Sequence, residues 1–403
     1  MSGPAAFGIA ASVAGKLPPM RRASLRPLRS ADGTLLDRAL VLCFGAAASA
    51  TGEDLVELHC HGGPAVVQAV EQALVADPRA RLAEAGEFTR RALENGRIDL
   101  AQAQGLADLL AAETETQRRY AMIASEGHVS RMIRGWMDRL VEVAAEIEAS
   151  IDYGEEGDVI AEAASLAAIR RESRLVASEI DAVLAAPPVE RWRDGIRIVL
   201  AGPPNSGKST LLNLLAGRDA AIVSPNAGTT RDRIDVPVRR EGVAYVLTDT
   251  AGLRDDTFDT IERIGIERAK AALNAADLVL WMGDGAPPMP ALQVHSRADI
   301  VDRAAVPATA HIAVSVHRPD TIQHLWRLIA DRTETAIPLD APLHEAERAS
   351  CRACLAALRS EQDDIVLLAD ATRAAISALG SILGQNATEL MLDRLFARFC
   401  VGK

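Results

Sequence analysis

Cysteine is scarce in this sequence, which has 403 residues and only five cysteines: Cys43, Cys60, Cys351, Cys354 and Cys400. A sparse, odd set of cysteines in a long chain is typical of a reducing compartment, so we expect a cytoplasmic protein. Cys351 and Cys354 form a CxxC, but no second such pair exists. We therefore interpret these two cysteines as small residues one helical turn apart, in preference to a metal or redox motif.

Long apolar runs are also missing. The sequence contains no uninterrupted run of about 18 apolar residues, so it predicts no membrane span. Residues 1–20 lack a basic lead, and glycine and serine interrupt their apolar stretch, so we expect no signal peptide. The net charge of −11 argues against a broad surface that coats nucleic acid, but it leaves a local basic patch open.

Proline is absent from residues 96–186 and from residues 344–403. In the first of these stretches the apolar residues recur three and four positions apart, which predicts amphipathic helices. Residues 191–336 instead alternate strand-like and helix-like segments, the pattern of a parallel sheet flanked by helices. The simplest architecture joins the two proline-free stretches in one helical body, with the α/β unit inserted between them.

The segment GPPNSGKS, from Gly202 to Ser209, lies between an apolar strand and a predicted helix. Its spacing fits GxxxxGK[ST], a loop whose glycines let backbone N–H groups turn toward phosphate oxygens. Lys208 would bring positive charge to the β and γ phosphates, and Ser209 would offer its hydroxyl to Mg²⁺. The strand–loop–helix context that this motif requires is present, so the sequence predicts a nucleotide site here.

The motifs that follow come in the order found in GTPases. AGTTRD contains Thr229 and Thr230, and a threonine there could complete the Mg²⁺ shell. In DTAG, Asp249 could hold Mg²⁺ through water, and the Gly252 N–H could reach the γ phosphate. HSRAD stands where a GTPase reads guanine, and Asp299 would accept two hydrogen bonds from guanine N1 and N2. Taken alone, HSRAD is more often a solvated loop than a guanine-binding motif, but the order of all four motifs predicts a GTPase.

Three features of the sequence resemble the MnmE (TrmE) family of bacterial tRNA-modification GTPases, and together they cover nearly the whole chain. The first is GTTRD followed by DTAGLR and IERIGIERA, the second is TGEDLVELHCHGG with AGEFTRRALENGRIDLAQAQGLADLL, and the third is the terminal FCVGK. The resemblance implies a multidomain α+β and α/β fold. A folate-binding, dimerising domain would span residues 1–95, and a helical domain residues 96–190 and 337–403, with a Ras-like P-loop GTPase domain inserted as residues 191–336.

The resemblance also implies the activity. The chain would hydrolyse GTP and, with an FAD-dependent partner (MnmG, also called GidA), add a carboxymethylaminomethyl or aminomethyl group to C5 of the wobble uridine of tRNA. It would act as a homodimer that forms a heterotetramer with that partner, and 5,10-methylene- or 5-formyl-tetrahydrofolate would supply the carbon. The alternative is a ribosome-assembly GTPase that acts as an RNA-binding switch, although no compact RNA-binding module is evident.

A catalytic glutamine is missing after DTAG, because Leu253 occupies the position where many GTPases orient water with that residue. The resemblance implies that Glu262 orients the water instead, although its position alone would suit a solvated helix face. It also implies a K⁺ ion that stabilises transition-state charge much as an arginine finger does. The implied K⁺ ligands are Asn205, Ser224, Asn226 and Thr229, and the implied Mg²⁺ ligands are Ser209, Thr230 and, through water, Asp249.

The guanine-reading motif departs from the family pattern, with Ser296 in place of asparagine and Arg297 in place of lysine. Ser296 is too short to duplicate the amide contact, which contributes roughly 1 kcal/mol, whereas Arg297 can still stack on a base. We expect guanine preference through Asp299 at reduced affinity. The implied GTP-binding residues are Asn205, Ser206, Gly207, Lys208, Ser209, Thr210, Ser224, Thr229, Thr230, Asp249, Thr250, Ala251, Gly252, Ser296, Arg297 and Asp299.

Two further departures concern the size of the domains. Residues 285–299 contain prolines and leave almost no room for a helix between two strands, so the GTPase domain looks shortened. The family's first strand ends in an arginine followed by Ile-Ser-Gly-Pro, whereas this chain opens at Met1-Ser2-Gly3-Pro4. If that strand is absent, we expect an exposed sheet edge.

Glu57, Arg97 and Lys403 match family positions that contact the folate. Arg97 and Lys403 suit its anionic glutamate tail, and Glu57 could accept hydrogen bonds from the pterin, although an exposed strand carboxylate is the plain alternative.

Two other features are ambiguous. The HCH at residues 59–61 resembles a metal-binding pair, but no third ligand is near in the sequence. Cys400 in FCVGK is a candidate nucleophile, and with Lys208 and Glu262 it completes the list of candidate catalytic residues. The alternative is that Cys400 is a small buried residue at a helix end.

Overall fold

A computed structural model describes residues 1–153, 159–217, 235–250, 270–300, 305–333, 343–360, 364–385, 392 and 395–396. The chain packs as two compact units. One contains Met1–Leu110, Ile123–Ala177 and Ser350–Lys403, and the other contains Ala111–Met122 and Ser178–Ala349. The second unit therefore includes residues 111–122, which belong to the helical stretch in sequence.

Both helices and strands are present, as predicted. The named helices are α1 (Ala6–Ala14), α2 (Pro64–Val75), α3 (Glu87–Glu94), α4 (Leu100–Ala111), α5 (Glu115–Ser125), α6 (His128–Tyr153), α7 (Val159–Ala185), α8 (Glu190–Arg193), α9 (Lys208–Ala216), α10 (Pro319–Arg332), α11 (Glu345–Leu358) and α12 (Ile365–Ile382). The strands are β1 (Ser24–Arg29), β2 (Leu35–Phe44), β3 (Leu55–His59), β4 (Ile196–Ala201), β5 (Asp235–Arg240), β6 (Val243–Asp249), β7 (Leu278–Trp281), β8 (Leu292–His295) and β9 (Ile312–Ala313).

The N-terminal part of the first unit is a three-stranded antiparallel sheet, in the order β1-β2-β3. Side chains of β2 alternate between its faces, and Ala39, Val41 and Cys43 are buried in a core shared with α1 and α2. The outer edge of β3 is paired over residues 54–56, where Gly3 N donates to Asp54 O and Val56 N donates to Met1 O, each at 2.9 Å. The sheet edge expected to be exposed is thus covered here by residues 1–3.

The helical periodicity of the proline-free stretch is confirmed in α6. Its buried side chains recur four and three residues apart: Val129, Ile133, Trp136, Leu140, Val143 and Ile147. That spacing places them on one stripe of the helix, which is the stripe a bundle buries. Helix α12 packs against this helix.

Among the described residues one helix, α12, is long and apolar enough to cross a membrane by length and composition alone, with a mean hydropathy of 1.5 over 18 residues. Helix α12 is not an uninterrupted apolar run, because Asp370 and Arg373 lie within the helix. Arg373 Nη1 binds Glu148 on α6 at 2.9 Å, and Ala369 packs in a core with Ile147. A core helix of a bundle passes the same test, so this finding is weak support for a span.

The second unit is built on a six-stranded sheet with the order β5-β6-β4-β7-β8-β9. Strand β5 runs antiparallel to β6, and the other neighbours are parallel. The carboxyl ends of β4, β6, β7 and β8 therefore meet at one edge, where α/β sheets bind ligands. Residues 282–291 join β7 to β8 without a helix, as their prolines predicted, and the structure describes this whole link.

Residues 111–122 belong to the second unit through the first turn of α5. Gln117 Oε1 accepts hydrogen bonds from Glu113 N and Thr114 N, at 2.8 and 2.9 Å, and thereby caps the start of the helix. Gln117 Nε2 donates to Arg193 O at 2.8 Å, just before β4. Thr116 N donates to the carbonyl oxygen of residue 242, in the turn between β5 and β6, at 3.2 Å. The start of α5 is therefore fastened to the sheet.

Candidate nucleotide-binding site

The loop between β4 and α9 adopts a conformation that needs its particular residues. Gly202, Asn205 and Gly207 all have positive φ, at 149°, 59° and 90°. A Cβ added at Gly202 would lie 3.1–3.3 Å from the backbone of Met282, at a φ that side chains rarely adopt, so glycine is strongly favoured there. Asparagine is one of the few other residues that tolerate the left-handed region at Asn205. The predicted phosphate-binding loop is thus a bent loop that leads into a helix N-terminus.

Lys208 is the first residue of α9 and is buried. Its Nζ donates to Gly202 O at 3.1 Å and to Pro203 O at 2.9 Å, which holds the ammonium group across the loop. The N-terminal end of a helix carries a partial positive charge and free backbone N–H groups. The ammonium group and the helix end together favour an anion such as a phosphate.

Ser209 and Asp249 come together through the register of the sheet. Leu200 near the end of β4 pairs with Asp249 at the end of β6, so the residues that follow β4 meet this carboxylate. Ser209 Oγ donates to Asp249 Oδ2 at 2.5 Å, and Asp249 is 4% exposed. Thr250 is held beside them by hydrogen bonds from its N and its Oγ1 to Leu200 O, at 3.2 and 2.9 Å. A hydroxyl and a carboxylate at one point form part of a site suited to Mg²⁺.

The predicted base-reading loop, HSRAD, is bonded to the phosphate-binding loop at two successive carbonyl oxygens. Ser296 Oγ donates to Ser206 O at 2.6 Å, and Arg297 Nη1 donates to Asn205 O at 3.3 Å. Ser296 is buried, and Arg297 has a φ of 60°. The structure therefore brings these two sequence motifs together, as the GTPase prediction requires.

Asp299 is held as an ionised acceptor. The Ser315 hydroxyl hydrogen-bonds to it and, with the Asp299 backbone N–H and the nearby His317 and Arg297, holds its pKa below the ordinary aspartate value. His317 Nε2 lies 3.8 Å from Asp299 Oδ2. An ionised carboxylate accepts hydrogen bonds and donates none, which suits the N1–H and N2–H donors of guanine.

One cavity of about 800 Å³ joins the two loops. Its size suits a nucleotide, since small-molecule sites commonly measure ~300–1,000 Å³. Phosphate-binding and base-reading residues share its wall, which includes Asn205, Lys208, Ser209, Ser296, Arg297 and Asp299. The arrangement can therefore hold an anion at one end and a hydrogen-bonding base at the other.

Several predicted site residues lie outside the described residues, namely Ser224, Asn226, Thr229, Thr230, Ala251, Gly252, Glu262, Cys400 and Lys403. Their predicted roles in K⁺ and Mg²⁺ binding, in hydrolysis and in folate binding stay predictions.

Ser315 is the residue that the sequence analysis did not identify. It follows β9, and its hydroxyl hydrogen-bonds to Asp299. Its backbone N donates to Thr321 Oγ1 at 3.3 Å. The available signal was its place, at the carboxyl end of the strand after HSRAD, where side chains at this edge of the sheet converge.

The first unit contains a second cavity, of about 1,070 Å³, with mostly apolar walls formed by residues between Met1 and Leu110. Glu57 and His59 on β3 line it, and His59 Nε2 lies 2.9 Å from Glu57 Oε2. Arg97 is not among the lining residues. Its Nε donates to Ser49 O at 3.2 Å, and its Nη2 donates to Ala47 O at 2.7 Å and to Ser49 O at 3.0 Å. The structure therefore places Glu57 in the cavity and Arg97 on a neighbouring loop.

The structure also describes the histidines of HCH and the cysteines of CxxC. His61 Nδ1 lies 2.7 Å from Asp37 Oδ1, whereas His59 faces Glu57, so the two histidines have different partners. Within the part of the chain that the structure describes, no group of three metal-ligating side chains occurs. Cys351 and Cys354 are buried residues of α11, in line with the interpretation of the CxxC as two small residues. Burial raises the pKa of Cys354 to about 12.

Comparisons with known proteins show to which family the chain belongs. Residues 100–400 match the family model of the MnmE helical domain, and residues 1–97 match that of the GTP-binding protein TrmE N-terminus. Three proteins named tRNA modification GTPase MnmE are similar over nearly their whole length. The protein of Sphingopyxis alaskensis is 46% identical over 97% of each chain. That of Rhizorhabdus wittichii is 48% identical over 96% of this chain and 88% of its own. That of Erythrobacter litoralis is 45% identical over 100% of this chain and 95% of its own. At this identity and coverage, the chain belongs to the MnmE family.

Proposed function

We propose that this chain binds and hydrolyses GTP and acts in the modification of the wobble uridine of tRNA. The observation that carries the proposal is the bonded pair Ser209 and Asp249 beside the buried Lys208, at the carboxyl edge of the sheet. This arrangement lies in a chain that is 46% identical to a tRNA modification GTPase. The sheet order and the loop-to-helix connection support a Ras-like domain of residues 191–336, inserted between helical segments 96–190 and 337–403.

The residues of the chain fit the substrate and its metal. Lys208 Nζ lies within 3.1 Å of two loop carbonyl oxygens. From this position its ammonium group can neutralise charge on the β and γ phosphates. Ser209 would hold Mg²⁺ directly and Asp249 would hold it through water, together with Thr230, which lies outside the described residues. Hydroxyl and carboxylate oxygens are the ligands that this hard cation prefers. When bound, Mg²⁺ neutralises charge on the phosphates during transfer.

We further propose that K⁺ supports hydrolysis. Asn205 lies in the phosphate-binding loop and lines the cavity, so its amide oxygen can serve as a neutral ligand for a weakly charged cation. Ser224, Asn226 and Thr229 would complete the site, and Glu262 would orient the attacking water. The chain lacks the glutamine that many GTPases have after DTAG. The positive charge of K⁺ would stabilise the negative charge that develops in the transition state. Equal turnover in Na⁺ and K⁺ buffers would contradict this part of the proposal.

The cavity beside Glu57 is the proposed folate site. Its apolar walls suit a flat pterin, and the Glu57 carboxylate can accept hydrogen bonds from the pterin amine and ring N–H. Lys403, and Arg97 if its guanidinium leaves the carbonyl oxygens of residues 47 and 49, would bind the anionic tail. Bound tetrahydrofolate would supply the one-carbon unit, and Cys400 is the candidate nucleophile.

The proposed assembly is a homodimer formed through residues 1–95, which works with the FAD-dependent MnmG protein on tRNA in the cytoplasm. Arrival of GTP would bring the GTPase domains together and rearrange the helical domain.

GTP hydrolysis by the purified chain tests the proposal. We expect Mg²⁺-dependent hydrolysis of GTP that exceeds that of ATP, and its loss in Lys208→Ala. The matched control is Lys16→Ala, because Lys16 is an exposed lysine outside the site. Hydrolysis that persists unchanged in Lys208→Ala would contradict the assignment of this site.

A further inference from the structure

We infer that Ser296 donates no hydrogen bond to N7 of the guanine ring, so that the site recognises guanine through the N1 and N2 edge of the base. The inference rests on the proposed binding of GTP and deepens it. It concerns a residue at which this chain carries serine where the family carries asparagine.

Serine and asparagine differ in the number of hydrogens that their side chains can donate. A serine hydroxyl has one hydrogen to donate, and in Ser296 that hydrogen goes to Ser206 O at 2.6 Å. An asparagine amide has two donor hydrogens, so at this position it could bond the loop carbonyl and an acceptor on a base at once. Ser296 therefore keeps the contact between the loops and has no donor left for the base.

The contact with the loop is the one that the fold requires. Ser296 is 4% exposed, and its bond reaches the carbonyl oxygen of Ser206, next to the bend at Gly207. Turning the hydroxyl toward a base would leave that carbonyl without this partner in a buried place, which is unfavourable. The other donor in the loop, Arg297, directs Nη1 to Asn205 O. Both side chains therefore donate to carbonyl oxygens of the phosphate-binding loop.

Asp299 is the residue that distinguishes guanine from adenine. Its carboxylate, bonded to the Ser315 hydroxyl, can accept from N1–H and from the N2 amine, which adenine does not present in this form. N7 is an acceptor in guanine and in adenine alike. Losing the N7 contact therefore lowers affinity without removing the preference for guanine over adenine.

The test compares four nucleotides on the purified full-length chain, by competition against a fluorescent GDP. In 7-deaza-GTP a C–H replaces N7, and ITP lacks the N2 amine. We expect 7-deaza-GTP to bind within about twofold of GTP, and ITP to bind about tenfold or more weakly, as loss of a hydrogen bond to a charged group predicts. A fivefold or greater loss with 7-deaza-GTP would overturn the inference. Failure to bind GTP, or equal binding of GTP and ATP, would instead overturn the proposed function.

Ser296→Asn supplies the gain-of-function arm. We expect it to fold, to bind GTP more tightly and to bind 7-deaza-GTP about threefold to tenfold less tightly than GTP. A ratio that stays near one would show that residue 296 does not decide N7 recognition. Ser296→Ala should weaken both nucleotides equally, and it keeps the test open if the asparagine variant unfolds. The control is Ser360→Asn, because the Ser360 hydroxyl also donates to a carbonyl, Ala357 O at 2.6 Å, yet it does not line this cavity.

Discussion

Ser209 Oγ and Asp249 Oδ2 lie 2.5 Å apart, joined by a hydrogen bond between the start of α9 and the end of β6. The parallel pairing of β4 with β6 sets this distance, because it aligns Leu200 with Asp249. Two predicted Mg²⁺ ligands are therefore held at one point by the sheet. A charged side chain is buried there, which is costly unless it has such partners.

The first prediction concerns this pair. Asp249→Asn keeps the shape of the side chain but removes its negative charge, so we expect Mg²⁺-dependent GTP binding to weaken and the hydrolysis rate to fall by about 100-fold, a loss of ~2.7 kcal/mol. Affinity for GTP without Mg²⁺ should change little. Titrations with and without EDTA measure both. The control is Asp331→Asn on the exposed face of α10. An equal loss of affinity in both buffers would mean that Asp249 acts on folding and not through the metal.

The second prediction concerns the bend of the phosphate-binding loop. Gly202→Ala places a Cβ 3.1 Å from the Met282 backbone, at a φ that side chains rarely adopt. We expect a loss of about 1–3 kcal/mol in the free energy of unfolding and a weaker affinity for GTP. Thermal unfolding and nucleotide titration check these effects. Gly285→Ala is the matched control, since a Cβ there meets nothing within 4 Å. Equal melting temperatures for the two variants would refute the steric argument.

The position of this loop could be predicted from sequence, because GPPNSGKS fixes the chain conformation through its own glycines. The same holds for α6, whose buried stripe from Val129 to Ile147 follows directly from helical periodicity. The conformation of the loop and the buried stripe of α6 are both set by residues that are close together in the sequence. In contrast, the bond from Gln117 to Arg193 O joins residues 76 positions apart, and no local pattern indicates it. The grouping of residues 111–122 with the sheet could not be predicted for that reason.

Some residues of the candidate site could likewise be predicted from the sequence, and others could not. Lys208, Ser209, Asp249 and Asp299 belong to recognisable motifs. The structure places Lys208, Ser209 and Asp299 around one cavity, and Asp249 is hydrogen-bonded to Ser209. Ser315 has no motif of its own, and its role depends on β9 pairing beside β8. The role of Ser296 depends on a carbonyl oxygen 90 residues away, which sequence comparison with the family could not supply.

The third prediction concerns stability and pH. Burial opposes the ionisation of Glu190, but hydrogen bonds from His344 and from the backbone N–H groups of Glu190 and Glu345 outweigh it and lower its pKa to about 2. Its usual value of 4.5 is higher, so the ionised form stabilises the fold. That contribution is present above pH 4.5 and is lost as the pH falls toward 2.

Glu190→Gln should therefore lower the free energy of unfolding by about 1–2 kcal/mol at pH 7, after allowance for solvent screening. The difference from the unmodified chain should shrink as the pH falls through that window. Urea unfolding at a series of pH values measures it. Glu241→Gln is the control, because the Glu241 side chain is 82% exposed. A difference that is constant with pH would show that charge plays no part.

The fourth prediction concerns the capped start of α5. Gln117→Ala removes a side chain that accepts from two backbone N–H groups and donates to Arg193 O. We expect a loss of about 1–3 kcal/mol, because the amide is buried and its partners stay behind. Chemical denaturation checks this value. Gln323→Ala, on an exposed position of α10, should leave the stability within about 0.5 kcal/mol. A loss no larger than in that control would contradict the cap.

The fifth prediction concerns the N-terminal cavity. Glu57→Gln should weaken the binding of 5-formyl-tetrahydrofolate by about tenfold, because a neutral amide accepts less strongly and brings donors of its own. Calorimetric titration of the purified chain measures it. Glu94→Gln, an exposed carboxylate on α3 outside the cavity lining, is the control. Binding that is unchanged by Glu57→Gln would place the folate elsewhere.

Mass spectrometry of wobble uridines tests the central claim most directly, on tRNA from cells that lack this chain and from the same cells given back either the unmodified chain or Lys208→Ala. We predict unmodified C5 positions in the deletion strain, recovery with the unmodified chain, and no recovery with Lys208→Ala. Fully modified wobble uridines in the deletion strain would contradict the proposed function. Full recovery with a Lys208→Ala chain that no longer hydrolyses GTP would separate the nucleotide site from the modification.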